Sequence, residues 1–305
     1  MHVLFQEVYA DTNLINQRLD GLDFNELAYA DDTALITPSV RAMNELLKSI
    51  EEKAARFGLF SNKTKCVSLP FNTNVQPKFA NGDTVPTDDK TKYLSGIIHK
   101  THNISGEIQS KIGSCFAILN PLNFFWRKAN CPHKFKLNVF EAVIRAKLVY
   151  GLETIHLSES ILSKMDAFQL KGIRKVLGIQ TTYTNRANTN ARVFERASVI
   201  ANPKSKPNKN IRPFSHYVQT RQESLLKHVV RSPSDDPLRQ CTLEFNRPLP
   251  FQVPKRRVGR PRLNWTTEAY KRIYIKNNRG TPATWKANPH SAIWNMDADI
   301  RSRVL

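Results

Sequence analysis

Residues 27–36 read Leu-Ala-Tyr-Ala-Asp-Asp-Thr-Ala-Leu-Ile, two short apolar runs around a pair of adjacent aspartates. Leu27-Ala28-Tyr29 and Thr33-Ala34-Leu35-Ile36 each have the composition of a strand, and Ala30-Asp31-Asp32 between them reads as the turn of a hairpin. Successive residues of a strand point to opposite faces, so neighbouring acids at such a bend present one carboxylate to a site and the other beside it. Two readings stand for that display. One is a surface turn whose polar residues cap their own backbone; the other is a place for a hard divalent cation, which takes oxygen ligands.

Outward from the turn, Pro38 and Ser39 open an amphipathic helix over residues 39–57. Val40, Met43, Leu46, Leu47, Ile50, Ala54 and Phe57 recur on one face, Lys48, Glu51, Glu52 and Arg56 fall elsewhere, and Gly58 ends it. Ahead of the hairpin, Val3, Leu4, Val8, Leu14, Ile15 and Leu19 fall at helical spacing across residues 3–19. Behind the helix, Cys66-Val67-Ser68-Leu69 predicts a strand, residues 70–91 a polar loop with a turn at Asn81-Gly82-Asp83, and Tyr93 to Ile98 a further strand. From Ile104 to about Gly178 the pattern is helical, with apolar stripes such as Ile108, Ile112, Cys115, Phe116, Leu119 and then Val139, Val143, Ala146, Val149. Pro203-Lys204-Ser205-Lys206-Pro207-Asn208-Lys209 reads as a basic linker, a helix is expected near Val218 to Val230, and the proline-rich stretch before Trp265 as partly disordered.

Charge divides along the same line. The chain carries 46 Lys and Arg against 26 Asp and Glu, a formal charge of +20. Residues 1–60 hold ten acids and five bases, so this segment is at −5 and the remainder at +25. An acidic pole fit for cations followed by a basic body fit for phosphates suits an enzyme acting on nucleic acid, whereas a plain binding module needs only the second. Cys66, Cys115, Cys131 and Cys241 lack paired zinc spacing or a disulfide framework, and Cys131-Pro132-His133 has no second half of a metal site; free thiols of a reducing compartment are expected. No apolar run approaches the roughly 20 residues that span a bilayer, and the first residues carry no basic leader. The expectation is a soluble intracellular protein with no membrane partner.

Tyr29-Ala30-Asp31-Asp32, with Leu27-Ala28 before it and Thr33-Ala34-Leu35-Ile36 after it, resembles the central catalytic hairpin of reverse transcriptases of non-LTR retrotransposons. Gly58-Leu59-Phe60-Ser61-Asn62-Lys63-Thr64-Lys65-Cys66 is similar to that family's next motif, and Lys92-Tyr93-Leu94-Ser95-Gly96-Ile97-Ile98 to its primer-grip strand. Tyr150-Gly151-Leu152-Glu153 and Leu170 to Gly178 resemble the helical thumb, and Arg257-Val258-Gly259-Arg260-Pro261-Arg262-Leu263-Asn264-Trp265 a tail motif; together they cover most of residues 1 to about 275, in order. The family places Gly directly after Tyr-Leu, where this chain has Ser95 and then Gly96, a departure at the point of closest backbone approach to a primer.

The resemblance implies an α+β fold: a partial right-hand polymerase palm over residues 1–100, a small antiparallel sheet of three or so strands with packed helices, then an all-α thumb over 101–200 and a basic C-terminal region over 201–305. It implies RNA-directed DNA polymerase chemistry, in which two Mg²⁺ (or Mn²⁺) ions about 3.5–4 Å apart activate the primer hydroxyl and hold the triphosphate. Asp31 and Asp32 are the implied catalytic and metal-binding residues, with RNA template, DNA primer and deoxynucleoside triphosphates as partners. Tyr29, Asn62, Lys63, Lys65, Tyr93, Leu94 and Gly96 are the implied nucleotide- and primer-binding set. For Lys63 and Lys65 a solvated charge is the other reading, and for Tyr29 plain strand packing.

In the tail, Lys255, Arg256, Arg257, Arg260 and Arg262 are candidate nucleic-acid contacts. Gly259-Arg260-Pro261-Arg262 is compatible with minor-groove insertion and Lys255-Arg256-Arg257 with a nuclear-import patch, but generic phosphate contact is the preferred reading. Trp265, Tyr270, Tyr274 and Trp285 are expected to pack rather than stack on bases. The family's third metal-binding carboxylate and its fingers have no counterpart before Leu27, so a largely inactive fragment of the polymerase is expected. The rival expectation is a non-catalytic nucleic-acid-binding protein that reuses the basic thumb and tail.

Overall fold

The structure, a computed structural model, describes residues 2–10, 14, 17–101, 104–202, 210–243 and 264–276. The fold is α+β, and the chain divides into two compact units. One holds residues 1–102 with 232–251, the other residues 103–231 with 252–305.

In the first unit, helix α1 (His2–Tyr9) buries Leu4, Phe5 and Val8. Helix α2 (Val40–Arg56) buries Ala42, Leu46 and Ala54. Leu4, Val8, Leu14, Leu46 and Ala54 form a small core that Tyr9, Leu35 and Ile50 extend. Both ends of α2 are closed by local chemistry. The Ser39 hydroxyl accepts the Ala42 amide at 3.2 Å. At the other end Gly58 takes φ +69°, its amide reaches Ala55 O at 3.1 Å and that of Leu59 reaches Ala54 O at 3.0 Å, the paired bonds of a Schellman motif.

Among the described residues four short strands form two two-stranded antiparallel sheets, β1 (Glu26–Tyr29) with β2 (Asp32–Leu35) and β3 (Lys90–Tyr93) with β4 (Gly96–His99). They replace the single sheet of about three strands expected from sequence. The strand expected at Cys66–Leu69 is one parallel bridge, Ser68 to Thr87, and the Asn81-Gly82-Asp83 turn is present with Gly82 at φ +90°. The segment Tyr93 to Ile98, expected as a strand, instead turns back on itself at Leu94 and Ser95. Nearby, helix α10 (Pro237–Thr242) places Gln240 on Asp23, which bond to each other twice, at 3.0 and 2.8 Å.

The described elements of the second unit are helices: α3 (Ile104–Leu119), α4 (Asn123–Lys128), α5 (His133–Phe140), α6 (Ala146–Val149), α7 (Glu159–Leu177), α8 (Asn190–Ala201), α9 (Phe214–Arg231) and α11 (Trp265–Lys276). A π-turn, Glu141–Arg145, joins α5 to α6. Of two apolar stripes here, Leu137, Phe140, Ile144 and Leu148 are fully buried, while Val143 is 39% exposed. The expected stripe through Val139, Val143, Ala146 and Val149 holds in part: Val149 is buried and Val139 packs on the core, while Val143 and Ala146 are exposed because the neighbouring stripe carries the larger side chains and removes more apolar area from water.

Helices α5 and α7 touch at Gly172, where an added Cβ would lie 2.4 Å from the Phe140 ring. The first amides of α9 are capped by α7: Gln169 accepts from Phe214 N at 2.8 Å and Asp166 from Ser215 N at 2.9 Å. Helix α11 buries Tyr270 and lies along α9, where Arg272 and Lys276 pair with Glu223.

Candidate active site

The β1–β2 register pairs Tyr29 with Asp32 and leaves Ala30 and Asp31 as a two-residue turn. Ala30 sits at φ +54°, a conformation that costs a residue with a Cβ roughly 1–2 kcal/mol. Opposed residues of an antiparallel pair share a face, so Leu27, Tyr29, Asp32 and Ala34 lie on one side and Glu26, Ala28, Thr33 and Leu35 on the other. The second side is anchored. Tyr9 donates its hydroxyl to Glu26, burial and then this bond push that hydroxyl far above its usual range, and Leu35 packs on the helical core. The first side is open: Tyr29 is 65% exposed, and both Asp31 and Asp32 are exposed.

The second hairpin reaches the first through Tyr93, whose hydroxyl donates to Leu27 O at 3.0 Å. Burial and the negative field of Asp32 push the Tyr93 hydroxyl up. Tyr29, Asp32 and Tyr93 are thus brought to one locality beside the Asp31 turn. Leu94 and Ser95 form the turn of this hairpin at φ +45° and +67°. Gly96 opens β4 opposite Tyr93, and its position does not demand glycine, since an added Cβ would meet Tyr93 O at an ordinary 3.4 Å.

Asn62, Lys63 and Lys65 make a separate turn. Asn62 Oδ1 accepts from the Thr64 hydroxyl at 2.7 Å, and its carbonyl accepts the Lys65 amide at 3.0 Å. Lys63 lies 3.9 Å from Glu51 and 4.9 Å from the centre of the Phe79 ring, while Lys65 is exposed. Lys255, Arg256, Arg257, Arg260 and Arg262 lie outside the described residues, as do the linker at 203–209, Trp285 and the Tyr274 side chain. All four cysteines are free thiols, and burial pushes that of Cys115 up to about 11.

As a cation site the Asp31–Asp32 turn offers oxygen donors only, the set Mg²⁺ and Mn²⁺ take. Among the described residues no group of three His, Cys, Asp or Glu comes together. Two exposed carboxylates on adjacent residues are fewer oxygen donors than such a cation takes.

A cluster that the sequence reading missed lies in the helical unit. Arg127, His133, Lys136, Lys171, Arg174 and Lys175 line a cavity of about 1000 Å³, and none of its described lining residues is acidic. The available signal was the absence of acids rather than the presence of bases: residues 108–140 and 167–194 contain neither Asp nor Glu, and these two stretches supply the cavity's wall.

No protein-family profile and no solved structure matches the chain. It is similar over 273 residues, 23% identical, to an uncharacterized transposon-derived protein of Caenorhabditis elegans; the match covers 88% of this chain and 91% of that protein. This likeness over nearly the full length points to a transposon origin. No helix among the described residues is long and apolar enough to cross a membrane.

Proposed function

We propose that the chain is the palm-and-thumb portion of an RNA-directed DNA polymerase from a non-LTR retrotransposon, with Asp31 and Asp32 as its metal-binding carboxylates. The observation that carries this reading is the tight, strained hairpin turn that leaves both acids exposed, Asp32 on the Tyr29 face and Asp31 at the bend, while Tyr93 of a second hairpin is held against β1. A strained residue kept in a turn is compatible with a functional turn, where such backbone cost is concentrated. The transposon-derived relative supports the origin that this reading requires.

In this arrangement Asp31 and Asp32 would hold Mg²⁺ or Mn²⁺, which supplies Lewis-acid stabilisation of a transferring phosphoryl group. Tyr29, on the Asp32 face, offers its ring to a primer end, and the Tyr93 bond to Leu27 O fixes the second hairpin against the first. Asn62, Lys63, Lys65, Leu94 and Gly96 belong to the proposed nucleotide and primer contacts, with RNA template, DNA primer and deoxynucleoside triphosphates as partners and the nucleus as the place of work. Among the described residues no third acid joins these two, and a site with only two carboxylates leaves much of the transition-state charge unmet, so primer extension by this chain is expected close to background.

The test is Mn²⁺ titration followed by paramagnetic broadening. Resonances of Tyr29 and Tyr93 broaden at ion concentrations that leave helix α7 sharp, and Asp31→Asn with Asp32→Asn abolishes the effect. Uniform or absent broadening at these tyrosines sinks the proposal. The acid-free cavity of the helical unit favours a second reading, a nucleic-acid-binding protein without catalysis. In that case the same double substitution leaves nucleic-acid affinity unchanged or raises it, because repulsion of phosphate falls.

A further inference from the structure

We infer that the cavity walled by α4, α5 and the end of α7 is a binding groove for the phosphate backbone of single-stranded nucleic acid, completed by base stacking on Tyr183. The inference rests on the reading above only in taking nucleic acid as the partner; it needs neither the hairpins nor catalysis.

The first observation is Lys136. It is 4% exposed, lines the cavity, and gives its ammonium to Trp126 O at 2.8 Å, with no carboxylate within ion-pair distance among the described residues. A buried charge matched only by a neutral carbonyl is costly, and an arriving anion repays that cost. Its neighbours are more open to solvent, Lys171 exposed and Arg174 and Lys175 half-buried, but they too have no carboxylate within ion-pair distance among the described residues. Lys175 donates to Asn120 Oδ1 at 3.0 Å, and Arg174 to Asn188 O and Asn190 Oδ1 at 3.1 and 3.0 Å. Lys171 lies 4.9 Å over the Phe116 ring. Each is oriented by a neutral group, which leaves its positive charge uncompensated.

Extent argues for a polymer. A second hollow of about 400 Å³, lined by Phe116, Leu119, Asn120, Lys171 and Lys175, shares both of its lysines with the first, so the same cations face two adjoining hollows along α7. The loop after α7 supplies the other component. Gln180 and Thr181 line the cavity, and Tyr183, two residues on, is 99% exposed. This loop is tied at its base, where Arg174 holds Asn188 O and Asn188 Nδ2 donates to Gln180 O at 3.0 Å. A tethered loop that carries a fully exposed aromatic next to a row of cations has the two components of sequence-tolerant single-strand binding, a backbone track and a stacking platform. In a duplex the bases are already stacked on one another, so Tyr183 would have nothing to receive.

The experiment is fluorescence anisotropy on the full chain with labelled oligo-U RNA and oligo-dT DNA of roughly 20 nucleotides, and with a duplex of equal length, across a salt series. Both single strands are expected to bind more tightly than the duplex. Lys171→Glu with Lys175→Glu should weaken single-strand binding at least tenfold and make the slope of log affinity on log salt shallower by about 1.4, while Lys171→Arg with Lys175→Arg restores both. Tyr183→Ala should lose about tenfold and Tyr183→Phe almost nothing, with unchanged circular dichroism in each case. Unchanged affinity in the Glu variant, or tighter binding of duplex, overturns the groove while leaving nucleic acid as the partner. A chain that binds none of the three probes overturns the groove and its nucleic-acid premise together. Neither result bears on Mn²⁺ broadening at the hairpin, which reports on the polymerase reading separately.

Discussion

The helical unit is organised around one extended core of large apolar side chains, whereas the hairpin unit has a small core and leaves one face of its β1–β2 hairpin open. Phe140, Ile144, Leu148, Met165 and Ile173 are fully buried, while Leu27, Tyr29, Phe60 and Ile98 are exposed. The contrast extends to the backbone. The positive-φ positions of the described helical unit, Gly151 and Gly178, are glycines, whereas the hairpin unit places Ala30, Asn72, Leu94 and Ser95 in that region. Cohesion and chemistry are thus separated: burial holds the helices, and the residues proposed to meet ions and primers sit on short, strained and poorly buried turns. Low-stability segments are the ones from which binding loops are drawn.

The strongest way to break this contrast is to find a comparable liability inside the helical core, and Glu141 in the π-turn is one. Burial pushes its carboxyl up to about 7, and the Arg145 guanidinium 2.8 Å away offsets only part of that. A folded pKa above the unfolded one means that the unfolded chain gives up this proton first. Stability from this group is therefore complete below about pH 4.5 and is lost as pH rises through about 7, by roughly 3 kcal/mol in all. Denaturant melts of the chain and of Glu141→Gln at pH 5 and pH 8 check this. The wild-type midpoint should fall between the two pH values and the variant's should not; parallel falls would show that the buried carboxyl is not the cause.

A smaller effect tests whether the core is as tight as its burial implies. Gly172→Ala puts a methyl 2.4 Å from a Phe140 ring that is itself fully buried and stacked on Phe214 at 6.3 Å between centroids. Overpacking of this kind costs typically 1–3 kcal/mol, against about 1 kcal/mol gained in helix propensity, so a net loss of about 1–2 kcal/mol is expected. Phe140→Leu in the same chain should recover part of it. A loss that adds to that of Phe140→Leu instead would mean that the two residues do not meet.

The same contrast decides what could be read from sequence. Helix α2 was legible with its caps because Ser39, the apolar stripe and Gly58 are local signals, and so was the hairpin around Asp31 and Asp32. The second hairpin was not, because Leu94-Ser95 lacks the Asn-Gly or Asp-Gly pair that marks a turn with two positive φ values. The stripe from Leu137 to Leu148 was hidden by a second apolar stripe one position away, and only packing chose between them. Lys136 and Lys171 share a cavity through tertiary contact between α5 and α7, and nothing in their separate sequence neighbourhoods brings them together.

Ser95 gives the smallest effect and the sharpest test of the hairpin unit's strain. It stands where the resembling family carries glycine, and at φ +67° its Cβ is a liability of roughly 1–2 kcal/mol. Ser95→Gly removes that strain but also loosens the unfolded chain, which returns roughly 0.4–1 kcal/mol. The expected net gain is about 0.5–1 kcal/mol, seen as a rise of a few degrees in the melting of the hairpin unit. Gly96→Ala is the control, since position 96 is not left-handed and its added methyl meets only Tyr93 O at 3.4 Å. If Ser95→Gly melts no higher than the parent while Gly96→Ala falls, position 96 is the residue that needs glycine. The turn would then begin one residue later, Tyr93 would no longer face Gly96 in the ladder, and its bond to Leu27 would have to be drawn anew.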